Sequence, residues 1–289
     1  METATHAHIP LRLFGPTGRH VAPVGQGSWR VDETDSQSAV AALRRGLDLG
    51  MTHIDTAEMY GEGAAERIVA AAIAGRRDEV FLVSKVLPNH ASKRGTIAAC
   101  EKSLARLGTD RLDCYLLHWR GSFPLAETID GFEALRREGK ILSWGVSNFD
   151  VTDLEEVVAI AGEGHPACNQ VLYHLQERAI EHGVLPWCRE HGVAVVAYTP
   201  FGESRRTFDP ATRHGHVLQD IAAAHGSTPR QVALAFLLRH SNGFVIPKAS
   251  HRAHVEENAG AGSLRLTAGD LERIEAAFPR GKPGPLPMI

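Results

Sequence analysis

Eight short β-rich runs alternate with longer segments of helical periodicity, and this repeat restricts the possible folds more than any other feature of the chain. The runs cover residues 24–27, 53–57, 80–86, 113–119, 143–147, 169–173, 193–198 and 243–247. Strands connected through helices pair in parallel, and closing such a sheet removes its edges. The sequence therefore predicts a (β/α)8 barrel. A doubly wound open sheet is the alternative, although no G-x-G-x-x-G motif opens a helix.

The helical segments fill the intervals between these runs, and two further elements flank the repeat. The predicted helices cover residues 35–49, 62–74, 96–107, 125–137, 151–161, 184–190, 228–239 and 253–261. Residues 11–21 alternate around a Gly-Pro-Thr-Gly turn and predict a hairpin that closes the bottom of the barrel. Residues 267–278 predict an extra helix capped by Thr267 and Asp270.

Size and composition are those of an ordinary globular protein. The chain has 289 residues, 43% hydrophobic content and a net charge of −3, so we expect one barrel domain over residues 1–289. That charge gives no electrostatic reason to expect nucleic acid or an anionic membrane as partner. No apolar run reaches membrane length and the first ten residues do not resemble a secretory signal, so we expect a cytoplasmic protein. We also expect a monomer, with four reduced, buried cysteines.

Polar residues stand at the predicted carboxyl ends of the strands, where barrel enzymes have their active sites. Asp55 ends the second strand, Tyr60 lies in the turn after it, Lys85 ends the third strand and His118 ends the fourth. A buried aspartate and lysine must pair, and the paired ammonium would lie near Tyr60. We expect the ammonium to lower the tyrosine pKa and make Tyr60 a proton donor to a carbonyl oxygen that His118 orients.

Seven sequence segments carry a resemblance to a known family. They are residues 50–61 (GMTHIDTAEMYG), 82–86 (LVSKV), 117–119 (LHW), 145–149 (GVSNF), 169–171 (NQV), 197–202 (AYTPFG) and 246–250 (IPKAS). Together they resemble the aldo-keto reductases, in particular the compact bacterial branch that includes methylglyoxal reductases. The resemblance covers nearly the whole chain.

The resemblance implies NADPH-dependent reduction of small aldehydes and ketones. It implies that Tyr60 is the general acid, that Lys85 and its partner Asp55 tune it, and that His118 positions the carbonyl. Further roles follow for several other residues. Ser147, Asn148 and Gln170 would hold the nicotinamide carboxamide, Tyr198 would stack on the ring, Thr199, Pro200, Phe201 and Gly202 would continue the cofactor site, and Trp29 and Trp119 would line the substrate pocket.

The adenosine end of the implied cofactor site departs from the family pattern. Lys248, Ala249, Ser250, Glu257 and Asn258 match, but His254 stands where the family usually has an arginine that grips the 2′-phosphate. Arg252 is nearby and is either a ligand of the phosphate or a solvated charge on a helix. NADPH remains the expected cofactor, and the use of NADH stays open. Arg205 and the next residue, Arg206, either fold over the pyrophosphate of the cofactor or form a basic pair on the surface.

Two other classes of function remain as alternatives. Sixteen histidines suggest a barrel metallohydrolase, but the two H-x-H pairs, at residues 6–8 and 214–216, fall in a predicted tail and loop, so we expect no metal. The second alternative is a non-catalytic subunit with the same fold that senses nicotinamide nucleotides, because a barrel fold does not dictate function.

Overall fold

An antiparallel hairpin and then eight parallel strands follow one another along the chain. This computed structural model describes residues 9–289, without the side chain of Arg205. The strands are β1 (Arg12–Leu13), β2 (His20–Val21), β3 (Gln26–Gly27), β4 (His53–Asp55), β5 (Phe81–Val86), β6 (Cys114–Leu117), β7 (Trp144–Ser147), β8 (Pro166–Leu172), β9 (Ala194–Tyr198) and β10 (Gly243–Val245). All eight predicted runs contain a strand. Their bounds differ by up to three residues, as at Pro166.

The eight parallel strands pair in sequence order, and the first and last of them close the ring. Val24 bridges Val245, and Gly27 bridges Lys248, both in parallel. Backbone hydrogen bonds accompany these bridges, including Gly25 N to the Val245 carbonyl at 2.8 Å. The predicted (β/α)8 barrel is therefore confirmed, and all eight strands point their carboxyl ends to one mouth.

Helices surround the barrel, and all but one of them follow the order that the alternating pattern predicts. They are α1 (Ser36–Asp48), α2 (Ala64–Ile73), α3 (Lys93–Leu107), α4 (Leu125–Arg137), α5 (Val151–Ala161), α6 (Val184–Glu190), α7 (Arg213–Ala224), α8 (Pro229–Leu237), α9 (Arg252–Gly260) and α10 (Ala268–Ala277). The extra carboxyl-terminal helix is confirmed, with Thr267 as its cap and Asp270 completing the capping box. No helix among the described residues combines the length and the apolar character that a membrane crossing requires.

Helix α7 is absent from the sequence prediction, which treats its start as part of a loop. Thr212 caps the helix by accepting a hydrogen bond from the Gly215 amide, and Leu218 and Ile221 bury its inner face. The prediction that the 214–216 histidine pair lies in a loop is therefore wrong, since both residues belong to the first turns of α7. The other histidine pair lies outside the described residues.

The hairpin closes the amino-terminal end of the barrel, as predicted. The Phe14 ring contacts the rings of Phe81 and Phe244, with centroids 4.7 and 4.9 Å apart, and lies edge-on to His53. At Gly15, with φ of +52°, a Cβ atom would clash with the Ala167 carbonyl, so the close approach requires glycine. This aromatic floor leaves the opposite end of the barrel as the open one.

Candidate active site

The carboxyl ends of the barrel strands open into a cleft of about 390 Å³. Most residues that the sequence predicts for the site line it: Trp29, Asp55, Tyr60, His118, Trp119, Ser147, Asn148, Gln170, Tyr198, Thr199, Pro200, Phe201, Gly202 and Lys248. Lys85 is fully buried next to the cleft, on β5. The barrel thus brings together side chains from positions 29 to 248 of the sequence.

Asp55 and Lys85 form a buried ion pair. The Lys85 ammonium donates to Asp55 Oδ1 at 2.5 Å and to the Thr56 carbonyl at 2.8 Å. The two side chains are 1% and 0% exposed, and a buried charge without its partner would be strongly destabilising. The pairing of β4 with β5 places both at the same mouth of the barrel, so the predicted pair is present.

A third residue holds the same carboxylate from across the barrel. Gln170 on β8 donates from Nε2 to Asp55 Oδ2 at 2.7 Å. Both carboxylate oxygens of Asp55 therefore accept hydrogen bonds, which fixes its orientation. The sequence offers no signal for this contact, because the two residues are 115 positions apart.

Tyr60 lies against this ion pair. Lys85 Nζ is 3.3 Å from the Tyr60 hydroxyl oxygen and 4.9 Å from the centre of its ring. The backbone then turns through two left-handed residues, Gly61 and Glu62. Gly61 has a φ of +55°, and a Cβ atom there would displace the carboxylate of Asp32, so the turn that directly follows Tyr60 favours glycine.

The pKa of Tyr60 differs from the sequence expectation. Burial raises the tyrosine pKa above its ordinary value of 10.0 and outweighs the opposing effect of the Lys85 charge. The expected lowering towards neutrality is therefore wrong for the protein alone. For Lys85, burial favours the neutral amine, but Asp55 and Tyr60 outweigh it, so its pKa is raised. At neutral pH the arrangement is a protonated phenol beside a charged ammonium.

His118 is held as a neutral imidazole at the same mouth. Burial, followed by the nearby Lys85 charge, lowers its pKa from 6.5 to about 2. Its Nδ1 is buried and has no hydrogen-bond partner among residues 9–289. The ring lies edge-on to Tyr60, with centroids 5.8 Å apart, so the neutral ring can present a donor or an acceptor beside the phenol.

A chain of hydrogen bonds runs along the opposite wall of the cleft. The Tyr198 hydroxyl donates to Asn148 Oδ1 at 2.9 Å, and Asn148 Nδ2 donates to Ser147 Oγ at 3.1 Å. Ser147 Oγ in turn donates to the Gln170 carbonyl at 2.9 Å. Asn148 adopts a left-handed φ of 61°, which asparagine tolerates well, and this backbone turn directs its side chain into the network.

These residues fit a nicotinamide cofactor. Gln170 Oε1 borders the cleft and accepts no hydrogen bond from the residues that the structure describes, so it is free for an amide donor. The partly buried Tyr198 ring offers an aromatic surface to a planar ring in the same cleft. Thr199, a β-branched residue at φ of 49°, shows the backbone strain that is often found at functional sites.

The residues predicted for the adenosine end have several partners within the protein. Glu257 accepts a 2.7 Å hydrogen bond from Thr228, and His254 Nδ1 lies 3.6 Å from Glu257. Asn258 is buried and Ala249 packs against the core. Arg252 donates to Glu256 at 3.0 Å from an exposed position on α9. The side chain of Arg205 lies outside the described part of the chain, so its expected contact stays a prediction.

Three apolar residues that the sequence analysis does not single out also border the cleft. Met59 precedes the catalytic candidate Tyr60, and Met288 and Ile289 arrive from the carboxyl-terminal segment. With Trp29 and Trp119 they give the cleft an apolar rim.

Comparison with known proteins gives a consistent result. The sequence profile of the Aldo/keto reductase family matches residues 23–278. The chain is 46% identical to methylglyoxal reductase YeaE of Escherichia coli over 261 residues, covering 90% of this chain and 92% of that protein. It is 34% identical to glyoxal reductase of Bacillus subtilis, with 91% of each covered.

Solved structures agree with the sequence comparison. An aldo-keto reductase from Klebsiella pneumoniae, crystallised in complex with NADPH, is 44% identical and superposes with a TM-score of 0.91. That match covers 97% of this chain and all of the other.

Proposed function

The chain belongs to the aldo/keto reductase family, and on that premise we propose that it reduces small aldehydes and ketones to alcohols with NADPH. The observation that carries the proposal is the contact between the Lys85 ammonium and the Tyr60 hydroxyl at the edge of an open cleft. A reduced carbonyl oxygen needs a proton, and a protonated phenol beside a fixed positive charge can provide it.

Each residue of the site has a role in this proposal. Tyr60 donates its proton to the carbonyl oxygen, and Lys85 stabilises the negative charge that then develops on the phenol oxygen. Asp55, held by Gln170, keeps the ammonium in place. The neutral His118 orients the carbonyl oxygen by a hydrogen bond. Trp29 and Trp119 enclose the substrate.

The wall opposite Tyr60 holds the cofactor. NADPH, when bound, is the hydride donor of the reaction. Ser147, Asn148 and Gln170 would hold its carboxamide, and Tyr198 would lie against its ring. Thr199, Pro200, Phe201, Gly202, Arg205 and Lys248 would continue the binding site, with Ala249, Ser250, Arg252, His254, Glu257 and Asn258 towards the adenosine. By orienting both reactants in one cleft, these residues lower the barrier to their reaction.

The substrates are small neutral aldehydes of the kind that the relatives' names record, methylglyoxal and glyoxal. Among the described residues, the cleft is bordered by tryptophan and methionine side chains and by one lysine, with no arginine, which favours uncharged carbonyl compounds. We also propose that residues 1–289 form one domain acting as a monomer in the cytoplasm, without a nucleic-acid partner. The four buried free thiols support a reducing compartment.

The test is an assay of NADPH oxidation with a panel of aldehydes and ketones, including methylglyoxal and glyoxal, repeated with NADH. Turnover with at least one small aldehyde is expected. NADPH binding without turnover of any carbonyl compound would favour the nucleotide-sensing alternative. Absence of binding to either nucleotide would refute the proposed function.

A further inference from the structure

A second cavity, of about 490 Å³, lies next to the cleft at the end of β10. Lys248 borders the cleft and Ser250, two residues later, borders the second cavity. Arg45 on α1 and Arg252 on α9 line the same cavity from the two helices. The segment that follows β10 therefore borders both cavities, the cleft at Lys248 and the second cavity at Ser250.

The hydroxyl of Ser250 indicates that the cavity holds a polar ligand. The residue is 6% exposed, and its Oγ is buried without a hydrogen-bond partner within residues 9–289. Buried hydroxyl groups are normally hydrogen-bonded, and one left unsatisfied costs free energy. Because Ser250 borders the cavity, a bound ligand can complete its hydrogen bonding.

The two arginines are held at the cavity by one carboxylate. Arg45 donates from Nε to Glu256 Oε1 at 2.8 Å, and its Nη2 lies 2.8 Å from the same oxygen. Arg252 Nε donates to that oxygen at 3.0 Å. Arg45 is 22% exposed, whereas Arg252 is 72% exposed. The Nη1 groups of both arginines make no hydrogen bond with the described residues, so each guanidinium keeps donors free for a ligand.

The other charged groups at the cavity have partners elsewhere. Arg44 donates to the carbonyls of Ala71 and Ala72, at the end of α2. Asp48 pairs with Arg76 at 2.6 Å. The side chains of Ser38 and His251 also line the cavity. Together with Arg45, Arg252 and Ser250 they leave a set of donors that suits the oxygens of a phosphate monoester.

The resemblance already places the 2′-phosphate near Ser250 and Arg252. Resting on the proposed function, we propose that Arg45, on a different helix, also contacts this phosphate and is the main determinant of the preference for NADPH over NADH. His254, which stands at the family's usual arginine position, borders neither cavity and lies nearest to Glu257. Arg45 reaches the phosphate from a different helix and is the more buried of the two arginines. A less solvated guanidinium binds an anion more strongly.

The test compares dissociation constants of NADPH and NADH, measured by quenching of tryptophan fluorescence without any substrate. Arg45→Met is expected to weaken NADPH binding about 10- to 100-fold, the effect of one charged hydrogen bond, and to leave NADH binding unchanged. Arg45→Lys keeps the positive charge but loses the forked guanidinium group, so its dissociation constant for NADPH should lie between those of the wild type and Arg45→Met. Arg111→Met removes an ion-paired arginine before β6, at the other end of the barrel, and should change neither constant.

Several outcomes would overturn the assignment. Equal weakening of NADPH and NADH in Arg45→Met would show a structural effect, and an unchanged NADPH constant would show that Arg45 does not contact the phosphate. If only Arg252→Met weakens NADPH binding, the residue that determines the cofactor preference is Arg252 on α9, not Arg45. If the wild-type protein binds NADPH, all three results refute this inference alone. If it binds neither nucleotide, the proposed function fails instead.

Discussion

The side-chain amide of Gln170 donates a 2.7 Å hydrogen bond to the carboxylate of Asp55, across the barrel from strand β8 to strand β4. Asp55 in turn pairs with Lys85, which contacts Tyr60. A residue assigned to the cofactor wall therefore also supports the proton-donating side of the cleft. Changes at Gln170 are expected to affect both.

Gln170→Leu removes the hydrogen bond to Asp55 and leaves one carboxylate oxygen buried without a donor. We expect the free energy of unfolding to fall by about 1–3 kcal/mol, the cost of an unsatisfied buried polar group. Urea denaturation measures it. Gln219→Leu is the matched control, because Gln219 is exposed on α7 and its side chain makes no hydrogen bond with the described residues, so the change should cost little. Equal losses would mean that the Gln170 contact has no special role.

Tyr60→Phe removes the proposed proton donor and little else. We expect kcat for aldehyde reduction to fall about 10²- to 10⁴-fold, the usual contribution of a general acid, with NADPH affinity nearly unchanged. Steady-state kinetics and fluorescence titration give the two values. Tyr115→Phe is the control: its buried hydroxyl has no partner among the described residues, so its loss should leave kcat intact. If the Tyr60→Phe variant keeps most of its activity, the assignment of Tyr60 as the acid is refuted.

Lys85→Met leaves the Asp55 carboxylate buried without its cation. We expect a loss of about 3–5 kcal/mol in stability together with loss of turnover. The double variant Lys85→Met/Asp55→Leu replaces the pair with apolar groups and should regain much of that stability but no activity. Chemical denaturation of both variants separates the two effects. A double variant as unstable as the single one would contradict a simple ion-pair role.

The pH dependence of kcat/KM follows from the two protonation states at the cleft. His118, with a pKa of about 2, stays neutral throughout the working range, and the raised pKa of Tyr60 keeps the phenol protonated. Reduction requires the protonated form, so kcat/KM should be level from about pH 6 to about pH 9 and fall only above that range. A decline with a midpoint near pH 7 would mean that cofactor binding lowers the Tyr60 pKa.

The sequence predicts the barrel well because each strand and helix has its own local pattern. The same argument places Asp55, Lys85 and His118 at strand ends, since the mouth of a parallel barrel is defined by strand direction. Other features depend on the closed structure. The Gln170 contact needs strands on opposite sides of the barrel, and the Tyr60 pKa depends on how far burial outweighs one charge. Arg45 reaches the second cavity only because α1 packs beside α9.

Acid stability provides a test at the other end of the barrel, at His53. Its imidazole is fully buried among Phe14, Phe81 and Phe244, both ring nitrogens lack partners within residues 9–289, and burial lowers its pKa from 6.5 to about 4. Between these values the unfolded chain binds a proton that the folded protein does not. Stability is therefore complete above about pH 6.5 and decreases as the pH falls, by about 2 kcal/mol at pH 5 from this group alone.

His53→Leu removes the pH-dependent loss of stability that this imidazole causes. It also replaces two nitrogens that lack hydrogen bonds with apolar atoms of similar volume. The variant should equal or exceed the wild type in stability at pH 7, and its advantage should grow by about 2 kcal/mol at pH 5. Urea denaturation at the two pH values measures the change. His20→Leu, at an exposed position in the hairpin, should follow the wild-type profile. If His53→Leu loses as much stability on acidification as the wild type, the buried imidazole is not responsible. His118, the other histidine that is buried among residues 9–289, then becomes the group to test.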